Sequence, residues 1–114
     1  MCFVISLKYP EEKIAGKDIV CYKRLERSTG GFLSPYQEKF YNLNKLYRSK
    51  LECSSYHTID VGLHSYSCKK RAKYCRVSGE VVTKGIIPKG SRYYYNPYNH
   101  EYVSNQIIVQ EVIK

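Results

Sequence analysis

The chain has no tryptophan, no C-x-x-C pair and no acidic side chain between Asp60 and Glu80. Each absence removes a class of protein. With no two cysteines and no two histidines two to four residues apart, a zinc site is not expected. The five cysteines, Cys2, Cys21, Cys53, Cys68 and Cys75, are odd in number. With no signal peptide in view, that count points to free thiols in a reducing compartment. The opening run MCFVISLKY is apolar for about five residues, far short of the roughly twenty that a membrane span needs. A cytoplasmic protein with no membrane partner and no cofactor is expected. Repeats, low-complexity tracts and linkers are also lacking, and 114 residues suit one domain spanning 1–114.

What is present is ordinary in bulk and peculiar in detail. A hydrophobic content of 43% with 25% charged residues fits a globular chain and excludes a disordered tail. The aromatic set is 13 Tyr and 3 Phe; tyrosine supplies ring area for packing while its hydroxyl stays wet. The net charge is +9, from 19 Lys and Arg against 10 Asp and Glu. Such a balance concentrates anions near the surface and is silent about fold.

Alternating residues in DIVCYKRLE (18–26), EVVTKGIIP (80–88), SRYYYN (91–96), HEYVS (100–104) and NQIIVQEVI (105–113) predict strands. RSTGGFLSP (27–35) reads as a loop on its glycines and proline. Residues 36–48 read either as a second short helix, from the Phe40/Leu43/Tyr47 stripe, or as an irregular crossing strand. SCKKRAKYC predicts one short basic helix at about 67–76, capped by Ser67, with Cys68, Ala72 and Cys75 as its apolar face. The fold expected is α+β: a curved, largely antiparallel sheet interrupted by that helix.

Two segments carry the chemistry. The helix presents Lys69, Lys70, Arg71, Lys73 and Arg76, and the preceding G-L-H-S turn puts His64 and Ser65 at its start, where free backbone N–H groups suit a phosphate. The bland alternative is a solvated face, although solvated faces normally intersperse signs. His64 and Ser65 are adjacent on a strand and point to opposite faces, so one does not activate the other. The second segment, IIPKGSRYYYN, sets Lys89 and Arg92 around a Pro-Gly turn beside Tyr93, Tyr94 and Tyr95. Tyr93 and Tyr95 share a strand face, which offers either core packing or a stacking ring for a base. No P-loop or RNP pattern occurs, and no helix-turn-helix partner precedes the basic helix.

The run DIVCYKRLE…LSPYQ…GLHSYSCKKRAKY…VVTKGIIPKGSRYYYNPYNHEYVSNQIIV resembles a set of short, uncharacterised phage and prophage proteins. These share a Y-K strand, an S-P-Y loop, a G-[FL]-H-S turn and an I-P-K-G-S step before a tyrosine-rich hairpin. The order of parts is also similar to the ADP-ribosyltransferase fold. On that resemblance Tyr22-Lys23 takes the place of the early Arg or His-Tyr, His64-Ser65-Tyr66 that of S-T-S, and Glu101 that of the late glutamate. Lys23 departs from the pattern, one serine of S-T-S survives, and neither E-x-E nor Q-x-E is present. The resemblance therefore implies a cleft without its catalyst, and if there is an enzyme, Glu101 is its residue.

Three functions follow as expectations. The first is a phage-type protein that captures an anionic nucleotide-like ligand in a cleft of Tyr22, Lys23, Ser34, Tyr36, His64, Ser65, Lys69, Lys89, Arg92, Tyr93 and Tyr95. It would act as a sponge against a host immune pathway. The second is a binder of nucleic acid, or an inhibitor of a nucleic-acid enzyme, using the basic helix. The third is a divergent ADP-ribosyltransferase. A second copy of the chain stands as a further partner.

Overall fold

The fold is described from a computed structural model, which describes residues 3–4, 12–34, 39–55 and 58–113. In chain order the strands before the helix are β1 (Phe3–Val4), β2 (Lys13–Ile14), β3 (Ile19–Ser28), β4 (Gly31–Leu33), β5 (Phe40–Tyr41), β6 (Leu46–Arg48), β7 (Glu52–Ser55), β8 (Thr58–Val61) and β9 (Leu63–Tyr66). Helix α1 (Lys69–Cys75) follows, then β10 (Glu80–Ile87), β11 (Arg92–Asn96), β12 (Glu101–Ser104) and β13 (Gln106–Val112).

The spine is β3 against β10, antiparallel in unbroken register from Glu80 opposite Glu26 to Ile87 opposite Ile19. Both strands are rich in β-branched and aromatic residues, which suit a pleated, half-buried surface. From the spine the main sheet extends two ways, in the order β2-β11-β12-β9-β3-β10-β13-β6, with β4 hung from β3 and β5 from β4. A separate three-stranded sheet runs β1-β8-β7.

The two free arms meet. Tyr41 of β5 packs edge-on against Tyr47 of β6, with ring centroids 4.8 Å apart. The Asn42 N–H donates to the Tyr47 hydroxyl at 2.6 Å, and the Asn44 N–H to the Val109 carbonyl at 2.7 Å. A circuit β3-β4-β5-β6-β13-β10 thus curls around one inner face. Cys21, Leu25, Tyr41, Leu63, Ile87, Ile107 and Val109 fill that face, with Phe32, Tyr47 and Tyr102 packed against them.

Close approach within the circuit explains one glycine. A side chain at Gly85 would place its Cβ 2.3 Å from the Ile108 carbonyl oxygen, beside the bulge where β10 and β13 shift register. Gly30 and Gly31 turn β3 into β4 with φ of 88° and 153°, conformations that cost glycine little.

Three expectations are corrected. The architecture is sheet-dominated, thirteen strands and one seven-residue helix among the described residues, not α+β. No second helix occupies the described part of 36–48; β5 and β6 lie there, separated by Asn44 at φ 61°. A left-handed residue interrupts any helix, and pairing of β5 with β4 and of β6 with β13 satisfies the backbone instead. The expected loop at 27–35 proves to be the end of β3, a two-glycine turn and β4. Among the described residues, no helix is long and apolar enough to cross a membrane.

Candidate functional site

Because directly opposed residues of an antiparallel ladder share a face, the register sorts the expected site residues. Asn96, Glu101, Tyr66, Tyr22, Lys84 and Glu111 form one row across six strands on the outer face. One residue further on, Ser65 and Lys23 lie on the inner face, with Thr83 opposite Lys23. Tyr22 and Lys23, expected in one cleft, therefore look to opposite sides of the sheet. So do His64 and Ser65, as their adjacency implied.

Helix α1 packs on the outer face through Ala72, which is fully buried. Beneath its exit Arg24 bonds Glu80 at 3.3 Å, and the same Glu80 oxygen accepts the Val77 N–H at 3.0 Å. Glu101 is half-buried here; burial raises its carboxyl, while Arg71 and Arg24 pull the other way. Arg71 lies over the Tyr74 ring, 5.8 Å from its centre.

Ser67 does not cap α1. Its hydroxyl lies 3.3 Å from that of Tyr95 and donates to the His100 carbonyl at 3.4 Å, while its N–H bonds the same carbonyl at 2.8 Å. Cys68 takes the N-cap position with no side-chain bond. The serine is spent on joining the helix entry to the β11–β12 turn, so that turn and α1 form one surface. The expected helix start at 67 moves to 69 for the same reason.

This surface holds the exposed side chains of Lys69, Lys70, Lys73 and Arg76, and no carboxylate pairs with any of them among the described residues. Two tyrosines that the sequence did not single out stand in it: Tyr74 is 82% exposed and Tyr98 71%. Tyr98 had a signal, since N-P-Y-N-H is a turn that lifts its tyrosine to the tip. Tyr74 had a weaker one, four residues after Lys70 and so on the same helix face.

Lys89 and Arg92 stand apart from that surface. Arg76 leads into Glu80, at the opposite end of β10 from Pro88; the seven steps between span about 23 Å at the usual strand rise. Arg92 lies at the far end of β11 from the Tyr98 turn. Arg92 also has an acid at hand, pairing with Glu12 at 3.2 Å, while Asp18 accepts the backbone N–H of Lys89 at 2.9 Å. Tyr93 and Tyr95 point inward to Tyr102, with centroids 5.8 Å and 4.9 Å from it. Their role is packing, and burial with its tyrosine neighbours pushes Tyr102 up to about 12. Ser34 is buried behind β4, its N–H on the Lys39 carbonyl at 2.9 Å. Tyr36 lies outside the described residues.

Of the remaining candidates, Lys23 and Ser65 lie on the inner face and His64 on the outer. Lys23 is 5% exposed; its ammonium donates to the His64 carbonyl and sits 5.2 Å from the centre of the Tyr41 ring. Burial, with some help from Arg24 and Lys39, brings it down to about 8. Burial pushes the Cys21 thiol up to about 11, against the pull of Ser65 and Lys23. It also holds His64 down near 4, assisted by the Lys23 charge, so the imidazole stays neutral at physiological pH. The sequence marked Lys23 and Ser65 but missed Tyr41, whose position depends on the two arms meeting.

Comparison with family models, with curated proteins and with solved structures finds no match to this chain. The functional reading rests on the chemistry of the surfaces themselves.

Proposed function

We propose that this protein is a non-catalytic binder of nucleotide-type polyanions, and that it engages the phosphate backbone of a nucleic acid strand on the α1 surface. One observation carries the reading: four exposed cations without an acidic partner among the described residues, with an exposed tyrosine ring on the helix, Tyr74, and another on the adjoining turn, Tyr98. Lysine and arginine neutralise phosphates with release of counterions, and tyrosine rings stack on bases without regard to sequence. A strand suits this face better than a mononucleotide, because the cations lie along a convex helix while Lys89 and Arg92 are held elsewhere. The motif order that resembles short phage proteins supports action by occupancy, masking a host nucleic-acid signal or blocking a nucleic-acid enzyme.

The test is a binding panel of mononucleotides, cyclic nucleotides and short oligonucleotides at several salt concentrations. Four phosphate contacts on a single strand predict a log affinity against log salt slope of about −3. No mononucleotide should raise Tm. If a mononucleotide raises Tm and oligonucleotides bind without salt dependence, a cleft replaces the surface.

A second reading, ADP-ribosyl transfer through Glu101, is favoured by the row that aligns Tyr22, Tyr66 and Glu101 on three neighbouring strands. It predicts transfer of label from NAD by the wild type and none by Glu101→Gln. Equal signal from the two, or none from either, removes it.

A further inference from the structure

The interior of the strand circuit holds a charge with no counter-charge among the described residues. Lys23 has no carboxylate partner among the described residues. Among the described residues its ammonium makes one hydrogen bond, to the His64 carbonyl, and its other neighbour is the Tyr41 ring face. Two hydroxyls on the same inner face, Tyr41 Oη and Ser65 Oγ, are buried with no nitrogen or oxygen hydrogen-bond partner among the described residues, and the Cys21 thiol lies beside Ser65. Tyr41 is 0% exposed and Ser65 2%. Buried polar groups in folded proteins are almost always satisfied, so three such groups from three different strands call for a common acceptor.

Chemistry narrows what that acceptor is. The set offers a single formal positive charge and donor protons from two hydroxyls, and the neighbouring cations Arg24 and Lys39 add to the positive potential felt at Lys23. An oxyanion carrying one negative charge balances this set, whereas a dianion would leave a buried charge uncompensated. A nucleotide is too large for groups this deeply enclosed.

We propose that Lys23, Tyr41 and Ser65 form an interior site for a small monoanion of the carboxylate class, held between β3, β5 and β9. The site is separate from the α1 surface. Lys23 neutralises the anion, and the Tyr41 and Ser65 hydroxyls donate to its oxygens.

The experiment compares thermal melts in sodium formate, acetate or bicarbonate with melts in sodium chloride at equal ionic strength. The wild type should melt several degrees higher in at least one of the three, by selective binding to the folded state. Lys23→Met should melt alike in all four salts, and Tyr41→Phe, which keeps the ring and removes the hydroxyl, should show a reduced shift. A variant carrying Lys69→Glu, Lys70→Glu and Lys73→Glu should keep the full wild-type shift, which separates this site from polyanion binding. Should Lys23→Met not fold, 13C-labelled formate gives the same answer by NMR: a bound resonance in the wild type that Tyr41→Phe weakens. A wild type indifferent to the salt, as when water alone fills the site, overturns the proposal, and so does a shift of equal size in both variants.

Discussion

Arg24 and Lys23 are neighbours on β3, both buried, one on each face of the sheet. Arg24 meets Glu80 at 3.3 Å beneath α1, whereas Lys23 meets a carbonyl and an aromatic ring. Among the described residues the same strand therefore buries one cation with its counter-charge and one without. A paired buried charge is explained by the fold that holds it, since breaking the pair strands the partner. An unpaired one is a standing cost, which the fold tolerates or a ligand relieves. The contrast extends outward: Arg92, beyond the Pro88 bend, pairs with Glu12, and among the described residues no carboxylate pairs with Lys69, Lys70, Lys73 or Arg76 of the α1 surface.

The largest effect should come from breaking the pair. Glu80→Ala takes the bonded carboxylate from the buried Arg24, and should cost about 3–5 kcal/mol in urea denaturation. Forcing a methyl group into the circuit wall comes next: Gly85→Ala meets the Ile108 carbonyl oxygen and should cost about 3 kcal/mol, with the loss also seen as faster hydrogen exchange in β13. Lys23→Met acts in the opposite direction. Replacing an uncompensated charge by an apolar chain of similar length should stabilise the apo protein by about 2 kcal/mol. If Glu80→Ala and Lys23→Met shift stability with the same sign, the distinction between the two faces fails.

A smaller effect appears on titration. Lys23 falls from an ordinary 10.5 to about 8 in the folded state, so above pH 8 the folded protein binds fewer protons than the unfolded one. Stability should then rise with pH. Cys21, raised from 9.0 to about 11, works in reverse above pH 9, where the unfolded thiol ionises first. The clean window is pH 8 to 9, with a gain of about 1 kcal/mol that Lys23→Met abolishes. Smallest of all, charge reversal on α1 should move stability by no more than about 0.5 kcal/mol, because those side chains touch only solvent.

Much of the framework was legible in the sequence, and the reasons are local. β10 to β13 follow from alternation bounded by Pro88, Gly90 and the N-P-Y-N turn, and α1 from a run of good helix formers with Ala72 at its centre. The segment 36–48 was misleading because Phe40, Leu43 and Tyr47 happen to fall at helical spacing. In the structure Phe40 and Leu43 are exposed, while Tyr41 is sealed inside. Asn42 and Asn44 were the better guide, as residues that favour turns and tolerate left-handed backbone. The α+β expectation gave too much weight to α1. Of the expected site, the basic character of α1 was readable from composition. The separation of Lys23 from Tyr22 follows from strand alternation alone, whereas that of Lys89 and Arg92 from the helix needed strand register and connectivity, which no local pattern encodes.

The account turns on the α1 surface being a built phosphate-binding face and not merely a solvated one. The direct measurement is the salt dependence of binding to a short single-stranded oligonucleotide, for the wild type and for the variant carrying Lys69→Glu, Lys70→Glu and Lys73→Glu. The wild type should bind with a slope of about −3, and removing three contacts should make that slope shallower by about two and weaken binding uniformly across sequences. Equal affinity and equal slope for the two proteins would contradict it.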